Sequence, residues 1–305
     1  MSISKVIVFG ASADQGIPLV NALQRRGFQV SAGARRPNAM AGTPFLGLPV
    51  VHCDITDSAS LRRAFEGQDA LAMHLPFEFD RAKAAAFGQS IAEGARGSGL
   101  KKIVFNTSCF VADHDLDLTA HDGRRDIERA LEGTGIPCVF IEPTVFMNNI
   151  IRIWTKPSIV NRGIFAYPAK PTLKISWIAL EDVGEYMAAA LETSKADGLH
   201  VPVGGPEALV GDEVAELISV EIGKPVRFMS LAPEDFAANM SELVNGTREI
   251  LPGTPYAGMA KFYSFYNAQP ESPLVVDPTE TAKLLDVVPM TMGEWLKRWD
   301  WTQPT

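Results

Sequence analysis

Residues 5–20 read Lys5-Val-Ile-Val-Phe-Gly-Ala-Ser-Ala-Asp-Gln-Gly-Ile-Pro-Leu-Val20. Lys5–Phe9 is a short run rich in β-branched residues, the pattern of a fully buried strand. From Ile17 the apolar residues recur at helical spacing, as Ile17, Val20 and Leu23. Between strand and helix lies a turn bounded by Gly10 and Gly16. Such a turn meets three demands at once. The chain must leave the strand sharply, its backbone must approach an anion closely, and the helix must start with its free N–H groups facing that anion. Gly10 suits the turn, and Gly16 suits close packing of helix on strand. Ala13 stands where a middle glycine is more usual, and it is small enough to permit approach if its φ stays negative. Ser12 is a candidate phosphate donor. Asp14 is expected to cap the helix with its carboxylate turned away from the phosphates. Two glycines at this spacing are a weak signal alone, and the strand before and helix after them strengthen it.

The next 130 or so residues repeat the same alternation. Strands are expected at Gln29–Gly33, Pro49–Cys53, Ala70–Leu75, Lys102–Asn106 and Cys138–Ile141. Helices are expected at Ile17–Arg26, Ser58–Phe65 (capped by Ser58), Lys83–Arg96 and Arg124–Leu131. Continuous apolar strands separated by helices predict an α/β fold, a doubly wound parallel sheet of Rossmann type covered on both faces. After about residue 150 the rhythm loosens. Strands are expected at Lys174–Ala179, Leu199–Val203 and Val226–Ser230. Helices are expected at Glu181–Leu191, Gly211–Ile222 (stopped by Gly223), Pro233–Asn239, Thr279–Leu285 and Met292–Trp299. Residues 246–273 show no clear period and are read as a loop. The expected organisation is a dinucleotide-binding domain over 1–150 and a smaller α+β substrate-binding portion over 151–305, packed on the first, with strands and helices returning to it.

Composition narrows the function classes. Of 305 residues, 46% are apolar and 21% charged, the profile of a globular protein. No apolar run nears the roughly 20 residues that span a bilayer. MSISKVIVFG has neither a basic segment nor a small-residue cleavage site, so no signal peptide and a cytoplasmic location are expected. The net charge is −8 without a basic block, which argues against direct nucleic-acid binding. Cys53, Cys109 and Cys138 are odd in number, widely spaced and set among apolar residues. They are expected to be buried free thiols, with no zinc or other metal site.

The cofactor follows from charge. A site for NAD needs an acid near the end of the second strand to accept from the ribose hydroxyls. No Asp or Glu lies between Asp14 and Asp54, and the expected place holds Arg35-Arg36. Guanidinium groups match a 2′-phosphate in geometry and charge, so NADP(H) is the expected cofactor. Its candidate contacts are Gly10, Ser12, Ala13, Gln15, Gly16, Arg35, Arg36 and Thr107. Asp54 is expected near the adenine, with Leu75 and Pro76 on the nicotinamide-side approach.

These residues resemble the NmrA-like family of atypical short-chain dehydrogenases/reductases, over nearly the whole chain. FGASADQG resembles the family's GATGxxG start, VSAGARRP its second strand, and HCDITD its third-strand end. Gly135–Asn149, GIPCVFIEPTVFMNN, resembles its G-x-P-x-T-x-x-R-P-x-x-F-M-x-N stretch, with Val139 and Glu142 at the threonine and arginine positions. WIALEDVGEYMAAAL and VPVGGPEALVGDEVAELIS resemble its later strand–helix units. The dehydrogenase pattern Tyr-x-x-x-Lys is absent. Aligned on Glu128, Arg124 takes the lysine position and Ala120 the tyrosine position.

Without that tyrosine, two classes stay open. One is an NADPH-dependent reductase with another proton source, acting on a carbonyl, quinone, imine or enone. The other is a non-catalytic NADP(H)-binding redox sensor, which the resemblance to the NmrA regulators also implies, with a protein partner or a second copy of the chain to signal through. A reductase of aromatic natural products and an isomerase-like activity are weaker alternatives. Candidate catalytic residues follow the fifth strand. Ser108 would bond a substrate oxygen. His121, in a polar loop from His114 to Arg125, would titrate near neutrality and donate a proton. Arg124 would hold the nicotinamide ribose as a permanent cation. Phe110, Phe146, Met147, Trp154, Phe262 and Tyr266 are candidates for an apolar substrate pocket, with 246–273 as its lid.

Overall fold

A computed structural model describes residues 3–37 and 47–303. In chain order, its elements are β1 (Lys5–Phe9), α1 (Gly16–Arg25), β2 (Gln29–Ala34), β3 (Val50–His52), α2 (Ser58–Phe65), β4 (Ala70–His74), α3 (Arg81–Ala95), β5 (Lys102–Asn106), α4 (Thr119–Glu132) and β6 (Cys138–Pro143). They continue with α5 (Lys156–Arg162), β7 (Ile164–Tyr167), β8 (Ile175–Ser176), α6 (Leu180–Glu192), β9 (His200–Val203), β10 (Ala208–Leu209), α7 (Gly211–Ile222) and β11 (Arg227–Ser230). The last are α8 (Pro233–Asn245), α9 (Pro255–Ala268), α10 (Pro278–Leu285) and α11 (Met292–Leu296). The chain divides into two compact units: Met1–Pro143 with Leu180–Val203 and Thr279–Val288, and Thr144–Ala179 with Gly204–Pro278 and Pro289–Thr305.

The first unit is built on a seven-stranded sheet in the order β3-β2-β1-β4-β5-β6-β9. Every neighbouring pair is parallel. This is the expected doubly wound α/β arrangement, and its strand order reverses between β1 and β4, where such folds place their ligands. Alternate side chains divide the core. Ile7, Phe9, Leu71, Met73, Ile103 and Phe105 share one cluster with Leu61, Phe65, Ile91, Ile127 and Leu131, and so face α2, α3 and α4. On the other face α1 packs on α6, tied by Arg25 and Arg26 to Glu185 and by Arg26 to Glu192. The three cysteines are buried and free, as expected.

The second unit is smaller-grained. β7 pairs in parallel with β11, and β8 antiparallel with β10. α7 ends at Gly223 with φ 68°, the left-handed stop that its sequence signals.

Several boundaries differ from the expectations. Asp57, rather than Ser58, caps α2, accepting from the Ala59 N–H at 2.9 Å. Asp80 caps α3 through Ala82 and Lys83, so that helix starts at Arg81. The stretch His114–Arg125 is not all loop, because α4 begins at Thr119. The expected strand Lys174–Ala179 shortens to Ile175–Ser176, with an isolated parallel bridge from Ile178 to Phe146. Residues 246–273 are not a loop: α9 occupies Pro255–Ala268, capped by Thr254 with Pro255 in its first turn. Met259, Phe262, Tyr263 and Tyr266 do follow helical spacing, masked by Tyr256 and Phe265 on the remaining faces. Among the described residues no helix is long and apolar enough to cross a membrane.

One buried cation fastens the end of α6. Lys102, 4% exposed, donates from Nζ to the carbonyls of Ala190 at 3.0 Å and Thr193 at 2.6 Å, and lies 2.5 Å from Asp197. It thereby satisfies carbonyls that a helix C-terminus leaves open. Lys102→Met keeps the volume and removes the charge. Urea titration of the variant is expected to show stability lowered by about 2–4 kcal/mol; an unchanged midpoint would mean that water replaces the ammonium without cost.

Candidate functional site

The site is built on the turn after β1. Gly10 has φ 75°, and a Cβ there would lie 2.3 Å from His74 Cε1. At Gly16 a Cβ would lie 2.0 Å from the Gly10 carbonyl oxygen. Both glycines are therefore required, the first for its left-handed backbone and the second for close contact. The Ala13 N–H donates to Gly10 O at 2.9 Å, and Ala13 O accepts from Gly16 and Ile17. Ser12 and Ala13 are exposed at the rim. Asp14 does not cap α1. The N-cap is Gln15, which makes no side-chain cap bond, and the first turn holds no acid.

Gln15 has a different task. Its Oε1 accepts from Asn106 Nδ2 at 2.8 Å and from Ser108 Oγ at 3.0 Å. The end of β5 is so tied to the start of α1. Asn106 Oδ1 in turn accepts from the Ser108 N–H at 2.8 Å. That bond holds Ser108 at φ 64°, a left-handed conformation that a serine adopts rarely and at a cost. Thr107 is fully buried and its hydroxyl meets the carbonyls of Cys109 at 2.5 Å and Ile141 at 3.1 Å. With its one proton held by backbone, Thr107 stabilises the turn instead of reaching a cofactor.

A buried basic group lies beyond β4. Arg124, 2% exposed, donates to Leu75 O at 2.5 Å, and its guanidinium carbon lies 4.8 Å from the centre of the Phe77 ring. Its Nε has no partner among the described residues. Burial lowers Arg124 to about 10, so it remains a cation at neutral pH. His121 is 2% exposed, its ring 5.2 Å from that of Phe110. It is not the near-neutral titrating group expected. Burial first, then the Arg124 charge, push it down to about 3. His74, which the sequence reading did not single out, stands at the end of β4 against Gly10. Burial and then Arg124 push it down to about 4. The signal available was a lone histidine ending an otherwise apolar strand.

Elsewhere in the first unit, Arg35 and Arg36 are exposed directly after β2, and Pro76 is exposed beside buried Leu75. Asp54 turns its Oδ1 to the Thr56 N–H at 3.0 Å and hydroxyl at 2.7 Å. Those bonds hold its carboxyl below the usual range, with a smaller contribution from Arg35. In the second unit, Tyr263 lies 5.6 Å from Tyr167 edge-to-face and 5.8 Å from Tyr266, ring to ring. The Tyr167 and Tyr263 hydroxyls are 2.6 Å apart, with Asn149 donating to Tyr167. Phe262 meets this cluster's margin at a tilt, half-buried, as are Phe146 and Trp154, while Met147 and Tyr266 are buried. The 246–273 lid is corrected too: the tyrosines of α9 are part of a packed core.

The NmrA-like family model matches residues 2–296. The chain is 25% identical over 94% of its length to the NAD(P)H azoreductase of Xenophilus azovorans, covering 93% of that protein. It is 30% identical over 74% of its length to the (4-alkanoyl-5-oxo-2,5-dihydrofuran-3-yl)methyl phosphate reductase of Streptomyces griseus subsp. griseus, covering 77% of it. The structure of the Escherichia coli NADPH-dependent quinone oxidoreductase QOR2 complexed with NADPH superposes with a TM-score of 0.78 at 20% identity, over 96% of this chain and 99% of that one.

The two buried histidines give the site a pH dependence with a defined sign. Unfolded, each binds a proton below about 6.5. Folded, each stays neutral down to about 4 or 3. The unfolded state therefore holds more protons in that window, and stability falls as pH drops from 6.5 towards 4. Each histidine contributes a slope of up to about 1.4 kcal/mol per pH unit. His121→Gln is expected to flatten the slope by about that amount between pH 6 and 4 in denaturant titrations, and an unaltered slope would show that His121 titrates normally.

Proposed function

This chain belongs to the NmrA-like family, and we propose that it is an NADPH-dependent reductase of flat, electron-poor acceptors such as quinones, azo compounds and conjugated enones. The observation that carries the reading is Arg124. A buried guanidinium with an unpartnered Nε, at the end of the strand beside the sheet's switch point, is an anion or hydroxyl site awaiting a ligand. Relatives of nearly full-length coverage named as NAD(P)H azoreductase and quinone oxidoreductase support the same reading.

The residues fit NADP(H). A side chain at Gly16 would fill the close approach of backbone to helix, and α1 begins without an acid or a cap. Ser12, Ala13 and the first N–H groups of α1 take the pyrophosphate. Arg35 and Arg36 take the 2′-phosphate, with Asp54 beside the adenine. Leu75, Pro76 and Arg124 flank the nicotinamide end. When bound, NADPH supplies a hydride. The first unit is then the cofactor unit.

The proton inventory selects the acceptor. His74 and His121 are neutral at physiological pH, and the Ser108 hydroxyl donates to Gln15. No side chain of this group holds an acidic proton, and no tyrosine stands at position 120. Acceptors whose reduced form is a stabilised anion need none, since water completes the reaction after Arg124 has stabilised the charge. Simple ketones, whose alkoxide product demands a proton at once, are disfavoured.

Fluorescence titration of Arg35→Ala with Arg36→Ala is expected to show NADPH binding weakened by about 10- to 100-fold and NADH binding unchanged; equal losses for both would refute the 2′-phosphate assignment. Arg124→Met is expected to lower kcat with a quinone by about 10- to 1000-fold, with NADPH oxidation followed at 340 nm (a wavelength set by the dihydronicotinamide, on the order of 340 nm). Full activity in Arg124→Met would remove the residue that carries this proposal.

A further inference from the structure

Three residues that the cofactor site does not use meet at the edge of the first unit's sheet. Glu128 lies on α4, Glu142 near the end of β6, and His200 at the start of the edge strand β9. Glu142 Oε1 is 2.8 Å from His200 Nδ1, and Glu128 Oε1 is 3.7 Å from the same nitrogen. One ligand atom from each lies within 4.8 Å of the others. They line a cavity of about 510 Å³ together with Val111, Arg129 and Pro202. β4 and β5 separate this place from β1 and its glycine turn.

Glu128 is the anomaly. It is 1% exposed, and neither carboxylate oxygen has a hydrogen-bond partner among the described residues. A buried carboxylate without donors is rare and costly. The nearby Arg125 lends it charge but no hydrogen bond, since its guanidinium is turned to Asp115 and to the carbonyls of Ala112 and His114. Glu142, by contrast, is positioned, its Oε2 accepting from the Val111 N–H at 3.1 Å.

We propose that Glu128, Glu142 and His200 form a binding site for a divalent transition-metal ion of the zinc type. One imidazole nitrogen and two carboxylate oxygens are the borderline donor set that such ions take. Tetrahedral ligands at zinc distances stand about 3.3 Å apart, and the 2.8 and 3.7 Å separations lie on either side of that value. With all three ligand atoms within 4.8 Å of one another, the site closes with side-chain shifts of up to about an ångström. The cavity leaves room for water as the remaining ligand. Glu132 Oε1, 3.5 Å from His200 Nε2, stands where the second nitrogen of a ligating histidine keeps an acidic partner. His200 is half-exposed and supplies the approach from solvent. The sequence expectation of no metal site rested on cysteine spacing, which does not register a cluster assembled from a helix and two neighbouring strands.

The test is titration of chelator-treated, full-length protein with ZnCl2 by calorimetry, together with thermal melts at rising ZnCl2. The expected result is one ion per chain, and a melting temperature that climbs with ZnCl2. Glu128→Gln and His200→Asn should each weaken binding at least about tenfold, while His114→Ala, an exposed histidine elsewhere, leaves it unchanged. A flat isotherm for the wild type overturns the proposal, as does equal binding by wild type, Glu128→Gln and His200→Asn. Should Glu128→Gln fail to fold by circular dichroism, the half-exposed His200→Asn alone decides. NADPH binding is read in parallel: its retention without zinc binding refutes the metal site and leaves the reductase reading intact.

Discussion

The first unit depends on the approach of α1 to the end of β1. A carbonyl oxygen at Gly10 lies where the side chain of residue 16 would begin. Only a glycine lets the helix come this near, and only that nearness puts its first N–H groups at the edge of the sheet. The same turn requires a left-handed residue at position 10, because His74 fills the volume a Cβ would take. The surrounding bonds follow from this geometry. Gln15, displaced into the N-cap position, reaches β5 and fixes Asn106 and Ser108. Strain at Ser108 is thereby held in place by a network anchored on the helix that the glycines admit.

Burying charge is the second theme. A protein of net charge −8 nevertheless places Arg124 and Lys102 inside its first unit. The two are treated differently. Lys102 is surrounded by carbonyl oxygens and an aspartate, the arrangement of a structural cation. Arg124 has one carbonyl, two aromatic rings and an unfilled Nε. Desolvation on that scale is tolerated in a stable fold when it is compensated elsewhere or completed by a ligand. Arg124 also depresses both neighbouring histidines. Burial, reinforced by this charge, holds both histidines neutral.

The sheet was legible because its strands are continuous apolar runs, which burial on both faces requires. Gly10, Gly16 and the Arg35-Arg36 pair were legible because a backbone constraint or a charge can be read locally. The surroundings of Arg124 and His121 were not. In sequence they sit among His114, Asp115, Asp117, Asp122 and Arg125, a polar stretch that suggests solvent. Their burial is decided by Leu75, Phe77 and Phe110, which belong to other segments. The aromatic residues of α9 are visible in the sequence but their helix is not, since a helix apolar on several faces loses the contrast that reveals its period. Glu128, Glu142 and His200 are far apart in the chain, and only the pairing of β6 with β9 brings the last two together.

The family's name covers reductases and a regulator alike, so membership alone does not choose between chemistry and sensing. The electrostatics of this chain bear on that choice. A sensor needs the cofactor's phosphates recognised, which the glycine turn and exposed arginines would do at the rim. It has no need of a buried cation with an unpartnered Nε, beside two histidines held neutral. Such a group costs stability unless something anionic forms beside it, and a reduced quinone or enolate is of that kind. The missing tyrosine then ceases to be a defect. On the reading proposed above, Arg124 would stabilise the product as an anion, the enzyme would be relieved of delivering a proton, and its substrates would be those for which an anion is an acceptable product.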